Sequence, residues 1–202
     1  MYIMKLIVFQ IFTLFLLSCS TTKHESIVEL DSNWEFKSEN DEEYLPASVP
    51  GTVHLDLLQN GKIDDPFFRL NEHKLQWIDK LDWEYRTSFD VNDFHFDYKA
   101  IELDFFGLDT YANVFLNDSM IYSSDNMFVG KTVNVKKKIK KGKNTLLVKF
   151  KSPIDVGIEK YDKLGYRLPD NANDLSEIGK VPDNKKVGVF ERKAPYSFGW
   201  DW

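Results

Sequence analysis

The sequence predicts an all-β fold, a jelly-roll β-sandwich with small helical insertions. Short segments that alternate polar and apolar residues recur between Trp83 and Lys151, with turn residues between them. The length of 202 residues suits one compact domain. Hydrophobic residues make up 43% of the chain and aromatic residues 15%, which excludes a mainly disordered protein.

Residues 1–19 predict an export signal. Lys5 precedes an apolar run of about 12 residues, whereas roughly 20 are needed to span a bilayer. The run ends in L-L-S-C, which resembles a bacterial lipobox, so we expect Cys19 to carry a lipid; a plain secretory signal is the alternative. Residues 20–26 then form a polar tether and residues 27–202 the domain. The expected location is the bacterial outer membrane or the periplasm-facing cell envelope, with membrane contact through the lipid only.

The first folded elements are a strand and a short helix. Residues 33–36, N-W-E-F, alternate as a half-buried strand does. Pro46 indicates a turn. Thr52 is a suitable N-cap for a helix over residues 53–59. His54 lies on that helix, and we interpret it as a packed residue, because no second His or Cys stands at metal-binding spacing.

The central part of the chain carries the sandwich strands. Residues 71–81 are predicted to be helical, and residues 83–91 alternate most regularly of all. The lysine-rich residues 136–143 favour a charged hairpin that protects a sheet edge over a polysaccharide or lipid site. Further predicted strands cover residues 99–106, 111–116, 120–123, 132–135 and 144–151.

After Pro153 the alternating strand pattern gives way to a predicted helix and a polar loop. Residues 154–164 are predicted to form a helix that buries Val156, Ile158 and Tyr161. Residues 167–186 are polar and rich in turn residues, and a loop of this length is typical of a functional lid.

The most informative stretch is residues 190–202, F-E-R-K-A-P-Y-S-F-G-W-D-W. It sets aromatic rings beside the acid Asp201 and two cations, Arg192 and Lys193. This set suits a sugar, whose C–H face stacks on an indole while its hydroxyl groups bind charged side chains. The alternative is an aromatic core strand, because every second residue over 196–202 is aromatic.

These residues also carry a resemblance to a known family. The segment R-K-A-P-Y-S-F-G-W-D-W is similar to the signature that closes the N-terminal, galactose-binding-like domain of family 2 β-mannosidases. Further similar segments follow one another in the family's order over essentially all of the chain after residue 26. They are L-D-S-N-W-E-F near residue 30, V-P-G-T-V-H-L-D-L-L from Val49, D-P-F-F-R-L-N-E from Asp65, W-I-D-K-L-D-W-E-Y-R from Trp77 and F-F-G-L-D-T-Y-A-N-V-F-L-N from Phe105.

The resemblance implies a sugar site shared with a second domain. Trp200 and Asp201 would line the subsite for a terminal, non-reducing β-mannose, and Arg192 and Lys193 would either bind the sugar or hold Asp201. Residues before the strand at 83–91 come near the sugar in the family, although core packing explains Trp77 and Trp83 as well. The family's catalytic glutamates lie on a barrel domain that this chain does not contain.

No residue of the chain is therefore predicted to be catalytic. Glu191 and Asp201 are close in sequence, but a retaining glycosidase needs two carboxyl groups about 5–5.5 Å apart in a shaped cleft. No phosphate loop or metal motif is present, so we predict no cofactor and no metal. The net charge of −6 argues against nucleic acid. Two functions remain: the N-terminal part of an exported β-mannosidase, or a stand-alone carbohydrate-binding lipoprotein.

Overall fold

A computed structural model describes residues 25–170, 174 and 185–198 of the chain. The predicted signal peptide and most of the polar tether lie outside these residues. Among the described residues, no helix has both the length and the apolar character needed to cross a membrane. The strands are β1 (Trp34–Ser38), β2 (Leu45–Ala47), β3 (Trp83–Val91), β4 (Glu102–Phe105), β5 (Ala112–Leu116), β6 (Ser119–Ser124), β7 (Lys131–Asn134) and β8 (Gly142–Phe150), and the helices are α1 (Val53–Gln59) and α2 (Pro153–Leu164).

The strands form two antiparallel sheets, which confirms the predicted all-β fold with small helices. The larger sheet has the order β2-β1-β3-β8-β5-β6, and the smaller one pairs β4 with β7. A buried cluster of Val91, Leu116, Val135 and Ile139 lies between the sheets, because Leu103 of β4 and Val133 of β7 pack against it. The main core lies on one face of the larger sheet and includes Trp34, Phe36, Trp83, Tyr85, Val114 and Val148.

The central pair β3 and β8 confirms the clearest sequence pattern. The strands pair over nine positions, from Trp83 opposite Phe150 to Val91 opposite Gly142. Alternate residues of β3 are buried, as the period of a strand requires. The apolar face predicted for residues 83–91 therefore faces the core.

Strand β2 was not predicted, and it corrects our reading of Pro46 as a turn residue. Pro46 lies opposite Glu35 of β1, in a strand at the edge of the larger sheet. An edge strand tolerates proline because one side of its backbone makes no ladder hydrogen bonds.

The segment before β3 is also corrected. Residues 71–81 were predicted to be helical, but they contain two short 3-10 turns, Asn71–Lys74 and Ile78–Lys80. Carbonyl groups there accept hydrogen bonds from distant side chains: the Trp83 indole donates to Ile78 O over 2.9 Å, and the Ser152 hydroxyl donates to Asp79 O over 2.7 Å. These two carbonyl groups thus accept hydrogen bonds from side chains instead of from the backbone N–H groups of a continuous helix.

The lysine-rich connection over residues 136–143 is not the predicted hairpin. It leads from β7 in the smaller sheet to β8 inside the larger one, and these two strands do not pair. The fully buried Asn144 shapes this turn: its amide donates to Lys140 O and Gly142 O, and its Oδ1 accepts from the Lys140 N–H.

Both helices begin where side chains cap them. The Thr52 hydroxyl accepts the Leu55 N–H at the start of α1, as predicted. The Ser152 hydroxyl accepts the Asp155 N–H at the start of α2, and Gly165 ends that helix in the left-handed conformation.

The buried face of α2 is centred on Ile154 and Gly157. Of the residues predicted for this face, Ile158 packs against the buried cluster that contains Ile154, and the Tyr161 ring centre lies 6.3 Å from that of Phe190. Val156 lies off this face, because it is two positions from Ile154.

Candidate functional site

The residues predicted to bind sugar divide between described and undescribed parts of the chain. Arg192 and Lys193 lie in residues 185–198, which we call the C-terminal segment. Trp200 and Asp201, and also the predicted lipidation residue Cys19, lie outside the described residues. The candidate site is therefore built from the C-terminal segment and the loops that hold it.

The C-terminal segment contains a turn at residues for which the sequence left an aromatic core strand as the alternative. Pro195–Phe198 forms a single 3-10 turn, in which the Ser197 N–H donates to Ala194 O over 3.0 Å. Tyr196 is 70% exposed, whereas Phe198 is 8% exposed. These two rings do not share a face, because a 3-10 turn separates residues that a strand would align. The alternative of one regular strand over residues 196–202 is therefore wrong for residues 196–198, which are the described part of that range.

Apolar packing fixes the C-terminal segment to α2. Val187, Phe198 and Ile154 form a buried cluster. Gly157 makes the contact possible, because a Cβ atom at this position would lie 2.6 Å from Val187 Cβ. Only glycine lets the helix and the segment approach this closely without displacement.

Polar contacts fix the other side of the segment to the loop before β5 and the loop after β6. Lys193 forms an ion pair with Asp109, and only 18% of its side chain is exposed. The Met127 N–H donates to Arg192 O over 3.0 Å, and the Ala194 N–H lies 3.0 Å from Met127 Sδ. Lys193 is thus engaged with the protein, while Arg192 is exposed to solvent.

Glu191 lies between these two sets of contacts. It is 9% exposed, and neither carboxyl oxygen has a hydrogen-bond partner of good geometry. Burial raises the pKa of this carboxyl to about 7. The nearby Tyr111 hydroxyl, Lys160 and Lys193 offset part of the rise, and Asp109 adds to it.

Lys160 of α2 binds two groups that lie beside Glu191, the Tyr111 hydroxyl and the Phe190 carbonyl. Its ammonium group donates to the Tyr111 hydroxyl and, over 3.1 Å, to Phe190 O. The ammonium also lies 4.4 Å from the centre of the Tyr111 ring. Burial, followed by Glu191, raises the pKa of Tyr111, so this hydroxyl stays protonated.

The first turn of α1 approaches the same site. His54 keeps contact with solvent, yet the protein around its ring desolvates it and lowers its pKa; Lys193 acts in the same direction and Asp79 opposes both. His54 is therefore a neutral neighbour of Lys193 near pH 7. In the described residues, no group of three or more His, Cys, Asp or Glu side chains is placed to hold a metal ion.

The two tryptophans before and in β3 differ in exposure. Trp83 is buried and belongs to the core, whereas Trp77 is 39% exposed and its ring centre lies 6.1 Å from that of Trp83. Core packing thus accounts for Trp83, and Trp77 alone presents part of its ring to the surface.

Sequence reasoning missed the residues that hold the C-terminal segment. Asp109, Tyr111 and Lys160 carry no motif, and Asp109 is separated from Lys193 by 84 positions. The one available signal was the position of Asp109 and Tyr111 inside the segment F-F-G-L-D-T-Y-A-N-V-F-L-N, which the family resemblance covers.

The comparison with known families decides what this fold is. The family model described as "Glycosyl hydrolase 2 galactose-binding domain-like" matches residues 34–202. The chain belongs to this family. It corresponds to the N-terminal domain of a β-mannosidase-like glycosyl hydrolase of family 2.

Individual relatives agree with the family assignment. A probable β-mannosidase of Caenorhabditis elegans is 35% identical over 187 residues, which cover 91% of this chain and 20% of that protein. β-Mannosidase B of Thermothelomyces thermophilus is 36% identical over 184 residues, with coverage of 87% and 20%. The crystal structure of the β-D-mannosidase of Dictyoglomus thermophilum is similar with a TM-score of 0.78 and 41% identity, with coverage of 88% and 20%. The chain thus spans about a fifth of the length of these relatives.

Proposed function

We propose that this domain contributes one wall of the sugar pocket of an exported β-mannosidase, which hydrolyses terminal, non-reducing β-D-mannose residues. The observation that carries this proposal is the 41% identity and 0.78 TM-score to a β-D-mannosidase over 88% of the chain. The catalytic glutamates would be supplied by a further domain, in the same polypeptide or in a partner.

The sugar-binding group of the wall is Asp201, with Trp200 beside it. A carboxylate that accepts two sugar hydroxyl groups makes charge-assisted hydrogen bonds, which are about twice as strong as neutral ones. Arg192 is exposed and available to the sugar, whereas Lys193 is committed to Asp109. This division supports a binding role for Arg192 and a role for Lys193 in holding the segment.

The test is a fusion of residues 27–202 to the remaining part of the Dictyoglomus thermophilum β-D-mannosidase, assayed with an aryl β-mannoside. Asp201→Ala is expected to lower kcat/KM by about 30- to 150-fold, which corresponds to about 2–3 kcal/mol for hydrogen bonds to a charged group. Asp97→Ala, at an exposed acid of the connection after β3, is the matched control and is expected to change nothing. Equal activity of the two variants would contradict the role of Asp201.

We also propose that the mature protein begins at a lipid-modified Cys19 and is held at the bacterial cell envelope. The support is the short apolar run of residues 6–17, which ends in L-L-S-C. Mass spectrometry of membrane-extracted protein is expected to find the lipid on Cys19, and Cys19→Ser is expected to abolish membrane retention. A mature protein that begins at another residue and carries no lipid would contradict this proposal.

A further inference from the structure

Glu191 is a buried acid that the proposed sugar chemistry does not use. It lies where α2, the loop before β5 and the C-terminal segment meet. A Cβ atom at Gly157 would stand 3.0 Å from Glu191 Oε1, so the helix backbone covers this carboxyl closely. Such an environment favours the neutral form of an acid, because a charged group without hydrogen bonds is costly to bury.

Charged and titratable groups face Glu191 from each of these elements. Lys160 faces it from α2, Asp109 and Tyr111 from the loop before β5, and Lys193 from its own segment. Both cations already have other partners: Lys193 pairs with Asp109, and Lys160 binds the Tyr111 hydroxyl and Phe190 O. Both lysines therefore have partners while Glu191 is neutral.

A negative charge on Glu191 would disturb these contacts. It would compete with Asp109 for Lys193 and with Tyr111 for Lys160, and it would be repelled by Asp109 itself. At their present position the two oxygens of Glu191 also accept no hydrogen bond of good geometry, although the Tyr111 hydroxyl lies nearby. Each of these effects favours movement of the segment that carries Glu191 toward water.

We infer that Glu191 is a positioning residue, which holds the C-terminal segment in place while its carboxyl group is protonated and releases the segment when it ionises. The inference deepens the proposed function, on which its consequence for sugar binding rests. The same segment carries Arg192, the exposed residue of the proposed sugar site, so its release would displace a group that is proposed to bind the sugar. Mannoside binding is then expected to be strongest at acidic pH.

Hydrogen exchange tests the positioning step without any sugar. The amides of Phe190 and Glu191 donate within the segment, and the amide of Met127 donates to Arg192 O. Their protection factors, corrected for intrinsic exchange, are expected to fall about tenfold from pH 6 to pH 8.5 in the 202-residue chain. Amides of the β3–β8 ladder are expected to keep their protection and serve as the internal reference.

Two substitutions separate positioning from a merely structural role. Glu191→Gln keeps the shape of the side chain without a titratable proton, so the segment amides are expected to stay protected at pH 8.5. Glu159→Gln, on the exposed side of α2, is the matched control and is expected to retain the wild-type pH dependence. Unchanged protection in the wild type from pH 6 to 8.5, or loss of protection in Glu191→Gln at every pH, would overturn the inference.

Asp109→Asn is a second variant that tests the control by Glu191 even if Glu191→Gln does not fold. It removes the negative charge that opposes ionisation of Glu191 and frees Lys193 to pair with it. Glu191 then ionises more easily while the segment is docked, so its ionisation opposes docking less. The fall in protection from pH 6 to pH 8.5 is therefore expected to be smaller than in the wild type. A fall as large as that of the wild type would show that Glu191 does not control the release.

The sugar is added last, so that the two proposals fail separately. Methyl β-D-mannopyranoside is titrated into the wild type and Glu191→Gln at pH 6 and pH 8.5, with amide chemical shifts as the readout. The wild type is expected to lose affinity at pH 8.5, and Glu191→Gln is expected to keep it. Absence of binding at both pH values would contradict the sugar site, while an affinity independent of pH in the wild type would contradict the control by Glu191.

Discussion

Two buried acids show how differently two regions of this domain are built. Asp56 of α1 is fully buried between the helix and the larger sheet, and Glu191 is almost as buried between α2 and the C-terminal segment. Asp56 accepts the Ser48 N–H over 2.8 Å and the Tyr85 hydroxyl over 2.7 Å. Glu191 accepts no hydrogen bond of good geometry.

The difference lies in what each acid can stabilise. An acid that accepts from two donors holds them in one arrangement, so Asp56 joins α1, the turn before it and β3. A buried carboxyl without a well-formed hydrogen bond is more stable when it is neutral, so Glu191 is expected to make its surroundings sensitive to pH. The contacts of Asp56 are expected to persist over a wide pH range, whereas the docking of the C-terminal segment is expected to depend on pH.

The largest expected effect is the loss of the Asp56 contacts. Asp56→Ala leaves the buried Tyr85 hydroxyl without an acceptor and removes the acceptor of the Ser48 N–H, and is expected to lower the free energy of unfolding by about 3–5 kcal/mol. Tyr85→Phe removes one of the two hydrogen bonds and is expected to cost about 1.5–3 kcal/mol. Urea unfolding followed by tryptophan fluorescence measures both. A smaller loss in Asp56→Ala than in Tyr85→Phe would remove the contrast between the two acids.

The second effect is a pH dependence of stability caused by Glu191. Its pKa is raised from 4.5 to about 7, so between these values the unfolded chain has released a proton that the folded chain keeps. The free energy of unfolding therefore falls as the pH rises from 4.5 to 7, by about 2 kcal/mol after allowance for solvent screening.

Thermal unfolding at several pH values compares the wild type with Glu191→Gln. The variant is expected to lack this decrease and to be the more stable of the two at pH 8. Glu159→Gln is expected to follow the wild type throughout. Parallel pH profiles of the wild type and Glu191→Gln would show that Glu191 is not the group that titrates.

The smallest effect concerns the close contact between α2 and the C-terminal segment. Gly157→Ala gains up to about 1 kcal/mol of helix propensity, but its new Cβ atom would overlap Val187, which costs about 1–3 kcal/mol. We expect a net loss of about 1 kcal/mol and faster proteolysis within residues 185–198. Glu159→Ala on the exposed side of the helix is the control, and a Gly157→Ala chain as stable as this control would argue against the tight contact.

Local patterns in the sequence were sufficient for much of the fold. The alternation over residues 83–91 predicted β3 at its observed bounds, and Thr52 predicted the start of α1. Such features depend on neighbouring residues only, so they can be read without knowing the fold. Strand β2 was missed because a proline is acceptable there only at the edge of a sheet, and the sheet order is not local information.

The amino-acid sequence by itself determined the all-β class and the family, because both depend on residue types at short or ordered spacings. The sugar-binding residues follow from the same patterns and stay a prediction. Only the tertiary structure decided that Lys193 binds Asp109, and that Asp56 accepts well-formed hydrogen bonds while Glu191 accepts none of good geometry. The reason is physical: the protonation and the role of a buried acid depend on the groups that the fold brings beside it, and these come from distant parts of the chain.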